Sequence, residues 1–128
     1  MTKTQKQKTG DWGEQCAASF LLKKEYKIVA RNFCVHKKGE IDIIAWHDKK
    51  YFGKTLCFIE VKTRKNSDDG SAERSVGKKK ITSLFTAAHE YCMQYNIDID
   101  HTAIQFEQIS LYFVSGRLQI NHYDIPVD

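Results

Sequence analysis

The sequence predicts an α/β fold in which two helix-patterned segments interrupt five strand-patterned ones, in the order α-β-β-β-α-β-β. Three observations carry that expectation. Residues 10–24 and 76–95 place apolar side chains at helical spacing. The runs 26–35, 39–46, 55–64, 102–114 and 117–125 are rich in β-branched and aromatic residues and bounded by turn residues. The run from Leu56 to Thr63 is apolar on both alternating faces through most of its length, as expected of a central strand covered by helices.

The elements follow in chain order. In the first helix Trp12, Cys16 and Phe20, with Ala17 and Leu21, mark the apolar side, and Thr9 or Asp11 can cap its start. Tyr26 to Val35 is the first strand. Gly39 opens the second, Glu-Ile-Asp-Ile-Ile-Ala-Trp, and the turn 48–54 leads into the third, Thr55 to Arg64. The polar stretch 65–74 reads as a loop. The second helix aligns Ile81, Leu84, Phe85, Ala88, Cys92 and Tyr95, and Ser115-Gly116 joins the last two strands as a hairpin. The organisation is one domain over residues 10–128 behind a flexible basic tail at residues 1–9.

Composition narrows the function classes. With 128 residues, 41% hydrophobic and 28% charged, the chain is expected to fold as one soluble domain. No apolar run nears the roughly 20 residues of a membrane span, and no secretory signal is recognised, so a cytoplasmic location and no membrane partner are expected. Cys16, Cys34, Cys57 and Cys92 form no C-x-x-C pair; they are read as buried reduced thiols, and a zinc site is disfavoured. The net charge of +4 hides an asymmetry: residues 1–80 hold 19 of the 20 Lys and Arg but 10 of the 16 Asp and Glu. A basic half suggests a polyanionic partner, with nucleic acid the commonest.

The third strand holds the informative chemistry. Alternation puts Leu56, Phe58, Glu60 and Lys62 on one face, which therefore runs from apolar to charged. A glutamate and a lysine partly withdrawn from water must pair or bind something; a solvated cross-strand ion pair is the plainer alternative. On the neighbouring strand Asp42 is enclosed by aliphatic residues, although aspartate is a poor strand former. Two carboxylates, Asp42 and Glu60, beside the Lys62 ammonium make a reasonable site for a hard cation such as Mg²⁺. Lys62 would then hold or deprotonate an attacking water. Glu14 shares the helix side of Ala17, Ala18 and Leu21, although Asp11 and Glu14 also have capping-box spacing. Lys80 shares a side with Leu84 and Ala87, where a snorkelling lysine is the plainer reading.

Gly39-Glu40-Ile41-Asp42 followed after seventeen residues by Glu60-Val61-Lys62 resembles the PD-(D/E)xK nuclease superfamily. With Gly13-Glu14 ahead and Val76 to Lys80 behind, the chain is similar to the YraN-like family of predicted endonucleases, which resemble Holliday-junction resolvases, over about residues 10–110. The resemblance implies a mixed β-sheet flanked by helices with a restriction-endonuclease-like αβββαβ core. It also implies Mg²⁺- or Mn²⁺-dependent hydrolysis of phosphodiester bonds. Asp42 and Glu60 would be metal ligands, Lys62 the water-positioning base, Glu14 an accessory acid and Lys80 a contact from the helix. Two departures stand out: no proline precedes Asp42, where Ile41 stands as it tends to in this family, and Gln105-Phe106-Glu107 stands where an Arg-Phe-Asp segment is expected.

The leading expectation is thus a metal-dependent endonuclease acting on nucleic acid, DNA before RNA, with a homodimer as an arrangement such enzymes often adopt. Arg64, Lys65, Lys78, Lys79 and Lys80 would steer the polyanion and the loop 65–74 would cover it. The alternatives are a nucleic-acid-binding module without turnover and a protein-interaction domain. The five histidines have no metal-ligand spacing, and among the aromatics Tyr51 and Phe52 are the best placed for base stacking.

Overall fold

A computed structural model describes residues 5–64 and 78–126. The protein is α/β, with a five-stranded mixed sheet flanked by two helices, consistent with a restriction-endonuclease-like core. Helix α1 spans Gln5–Lys23 and is followed by β1 (Lys27–Val35), β2 (Gly39–Lys49) and β3 (Gly53–Arg64). Helix α2 (Lys78–Gln94) and a short 3-10 turn (Ile99–His101) lead to β4 (Ala103–Val114) and β5 (Arg117–Asp124). The strands lie side by side in chain order, and only β3 and β4 run parallel. A parallel pair needs a long crossover, and α2 lies within it.

Helix α1 begins earlier than the sequence pattern suggested, because Gln5-Lys6-Gln7-Lys8 are good helix formers with no breaker among them. Residues 5–9 are therefore helical rather than tail, and Asp11 and Glu14 lie inside the helix, which removes their capping role. Of the expected apolar side, Ala17, Ala18 and Leu21 are buried, whereas Trp12 is 40% exposed and stacks on Phe113 with ring centroids 5.4 Å apart. Helix α2 is rotated from the expected alignment. Leu84, Ala87, Ala88, Tyr91 and Cys92 face the sheet, while Phe85 and Tyr95 are exposed. The loop 65–74, with Lys65, lies outside the described residues.

The central strand divides the core as its alternation dictates. Cys57 and Ile59 pack with Ala17, Ala18 and Leu21 of α1, while Leu56 and Phe58 pack with Leu84, Ala87, Ala88 and Tyr91 of α2. Full burial of a side chain such as Phe58 contributes about 2 kcal/mol against exposure. Cys57 and Cys92 are buried as expected, but Cys16 on α1 is only half-buried, and Cys34 is exposed because β1 is an edge strand. Among the described residues no helix is long and apolar enough to cross a membrane.

One irregularity shapes the sheet. Ile41 and Ile43 would share a face in a regular strand, yet Ile41 packs with the α2 core and Ile43 with the α1 core. The facing strand changes phase at the same level: Arg31 is in register with Ile43 and Phe33 with Ile41, and between them Asn32 adopts a left-handed φ of 53°. The β2–β3 ladder stops at Ile43 opposite Ile59. Below that pair the strands part, and Asp42 stands at the fork.

Candidate functional site

Asp42 fills the gap it opens. Its Oδ2 accepts the Val61 amide proton at 2.7 Å, replacing a main-chain link from β2 to β3. Burial first, and then the Glu60 carboxylate, push its pKa up to about 7, against the opposing pull of the Val61 hydrogen bond. The two acids expected from the sequence are therefore close enough to repel each other.

Glu60 is 3% exposed, and regular alternation delivers it to the α2 side of β3. Its Oε1 lies 3.3 Å from Lys62 Nζ and 3.0 Å from Lys80 Nζ. Lys80 reaches it because Lys80, Leu84 and Ala87 share the sheet-facing side of α2, as the sequence predicted. The other oxygen, Oε2, is buried and has no hydrogen-bond partner among the described residues. A buried carboxylate oxygen without a partner is costly, and a cation or polar group brought to it would relieve that cost.

Glu14 approaches from α1. Burial raises its pKa, and the Arg31 guanidinium, with Nη2 3.9 Å from Glu14 Oε1, opposes that shift. With its amide turned so that nitrogen faces the acid, Asn32 donates to both Glu14 oxygens at 2.9 and 3.0 Å. The left-handed Asn32 thus ties the kink of β1 to α1. Arg31 and Asn32 are the residues that sequence reasoning missed. Their signal was slight: an Arg-Asn pair in an edge strand, with asparagine among the few residues that tolerate positive φ.

Gln108 and Ser110 of β4 complete the floor. They stand in register with Glu60 and Lys62, both buried, and Gln108 Nε2 donates to Ser110 Oγ at 3.0 Å. The neighbouring Glu107, at the position of the family departure, turns to the opposite face. There it accepts from Tyr26, Lys49 and His122 at 2.8, 2.9 and 2.6 Å. It belongs to the interior under α1 and not to this site.

The donor set fits a hard cation through a carboxylate pair. Among the described residues no group of three or more His, Cys, Asp and Glu side chains gathers as a closed cage. Mg²⁺ is commonly held by one or two carboxylates, with waters and phosphate oxygens completing its octahedron. Of the expected steering residues, Arg64 ends β3 half-exposed and Lys80 lies on the site itself; Lys78 and Lys79 begin α2. Tyr51 and Phe52 are 82% and 72% exposed, but in the β2–β3 turn. That turn is at the opposite end of β3 from Glu60, up to about 25 Å away by strand rise.

A sequence model described as "Uncharacterised protein family UPF0102" matches residues 13–111. Among curated proteins the chain is similar to a UPF0102 protein of Prosthecochloris aestuarii, with 39% identity covering 86% of this chain and 83% of that one. A UPF0102 protein of Syntrophomonas wolfei is 37% identical over 88% of this chain and 91% of its own length. One from Koribacter versatilis is 42% identical over 88% and 74%, respectively.

Proposed function

The chain belongs to the uncharacterised protein family UPF0102, and on that premise we propose that it is a divalent-cation-dependent endonuclease that hydrolyses phosphodiester bonds of nucleic acid, with DNA as its substrate. The observation that supports this most is the Glu60 carboxylate. One oxygen is held by two lysines, the other is buried with no partner among the described residues, and a second acid with a raised pKa stands beside it.

In this reading Asp42 and Glu60 hold Mg²⁺ or Mn²⁺. When bound, such an ion supplies positive charge at the phosphoryl oxygens and acidifies water. The chain's own residues do the rest. Asp42 is held by the Val61 amide through one oxygen, which leaves its other oxygen to face the ion. Lys62, with its side chain 38% exposed, reaches solvent from a buried anchor and orients the attacking water at its ammonium. Lys80 offsets the charge of Glu60 and lends positive potential to the incoming phosphate. Glu14, restrained by Arg31 and Asn32, sets the α1 side of the fork.

The test is cleavage of linear, single-stranded and branched DNA with and without Mg²⁺ or Mn²⁺, comparing the wild type with Asp42→Ala and Lys62→Ala. Cutting should require the cation and vanish in both folded variants. Unchanged cutting in either variant overturns the assignment. Salt-sensitive binding with no cutting by the wild type leaves a binding module.

A further inference from the structure

The turn between β1 and β2 carries basic residues that the nuclease reading does not use. His36, Lys37 and Lys38 form one lip of a cleft of about 510 Å³, and Lys80 and Ser83 of α2 form the other. Cys34, Val35, Gly39 and Glu40 line the rest. A volume of this order suits a nucleotide-sized ligand.

Three features make this more than a scatter of surface lysines. The cleft shares a wall with the candidate site, because Lys80 lines it and also lies 3.0 Å from Glu60 Oε1. Its charge is graded. Lys37 and Lys38 are exposed at the turn, whereas Glu40 is near enough to the acids to add to the repulsion felt by Asp42. Its two walls are also locked together: a Cβ on Gly39 would collide with the main-chain carbonyl of Ser83. The base of the turn therefore sits directly on α2, and the cleft is preformed. At the tip Lys37 holds a left-handed φ of 60°, which turns the chain sharply.

We propose that this cleft is a backbone subsite for the nucleic-acid strand, in which Lys37 and Lys38 bind the phosphates flanking the one delivered past Lys80 to Asp42 and Glu60. The ligand class rests on the nuclease reading. A phosphodiester strand matches the gradient, with its flanking phosphates at the cationic lip and only the reacting phosphate reaching the acidic end. Contacts of this kind fix register without reading sequence. This assigns the β1–β2 turn a role alongside the basic run that begins α2.

The experiment measures binding and needs no turnover. Fluorescence anisotropy of a labelled duplex DNA is followed across a salt series in EDTA, for the full chain and for the double variant Lys37→Asn, Lys38→Gln. Asparagine tolerates the left-handed backbone at position 37, so the fold is kept, and circular dichroism verifies that. Each lost phosphate contact lowers the slope of log affinity against log salt by about 0.9, so the slope should fall by about 2. A control variant, Lys50→Gln, lies in the β2–β3 turn at the far end of the sheet and should leave the slope unchanged. An unaltered slope in the folded double variant overturns the subsite, whatever the cleavage result. A reduced slope supports it even if the wild type proves unable to cut, so the two readings fail separately.

Discussion

Asp42 Oδ2 takes the Val61 amide proton at 2.7 Å, so a side chain of β2 does what its main chain does elsewhere in the ladder. The carboxyl is held there despite burial and a neighbouring acid, with its pKa raised from 3.8 to about 7. A raised value means that the carboxyl's contribution to stability is full below the ordinary 3.8 and is lost as the pH rises from there through about 7. Asp42→Asn keeps an acceptor for Val61 and removes the charge. It should raise stability at pH 8 by about 1 kcal/mol, or a few degrees in Tm by calorimetry, while abolishing cleavage. A lower Tm would mean that the acids do not repel.

Cation binding should be visible as stabilisation. At a Mn²⁺ concentration about a hundredfold above its Kd the wild type should gain about 2.7 kcal/mol. Glu60→Gln should lose most of this response, because its carboxylate supplies both the lysine partner and the buried oxygen that has no partner among the described residues. An equal response in the variant would remove Glu60 from the ligand set.

The interior under α1 should govern acid stability. Burial alone would raise the pKa of Glu107, but hydrogen bonds from His122, Lys49 and Tyr26 win and hold it down to about 2. A lowered value contributes stability above the ordinary pKa of 4.5, which is lost as the pH falls from there toward 2. Glu107→Gln leaves the Lys49 ammonium unpaired and should cost about 3 kcal/mol at pH 7 in urea unfolding. The difference from the wild type should shrink as the pH is lowered toward about 2; a difference independent of pH would assign the loss to packing alone.

Two glycines should respond in opposite directions. Gly39→Ala pushes a methyl group into the Ser83 carbonyl and should destabilise by about 1–3 kcal/mol. Gly10 lies in α1 with nothing near a prospective Cβ, so Gly10→Ala should stabilise by about 0.5–1 kcal/mol. Thermal melts of the pair decide it; like signs would contradict the packing described.

Much of the architecture was legible because periodicity is a local property. The alternation of Leu56 to Lys62 gave the faces of β3, and the spacing of Lys80, Leu84 and Ala87 gave the side of α2 that meets Glu60. The fork was not legible. Ile41-Asp42-Ile43 reads as an uninterrupted strand, and only the paired phase change with Asn32 reveals that its two isoleucines part company. The Glu107 cluster was hidden for another reason: Tyr26, Lys49 and His122 lie 81, 58 and 15 residues away along the chain. Helix α2 was misaligned at Phe85 and Tyr95 because aromatic residues fit a helical stripe whether or not the sheet covers them.

Gly13 meets the Thr63 side chain under α1 as Gly39 meets Ser83 under α2, so each helix is seated through a residue with no side chain, and each such residue immediately precedes an acid, Glu14 or Glu40. Helix seating and carboxylate placement are thereby inherited together. A mutation that thickens either contact lifts a whole layer away from the sheet and shifts its charged neighbour with it, so tolerance to substitution should be lowest at two positions that carry no chemistry of their own.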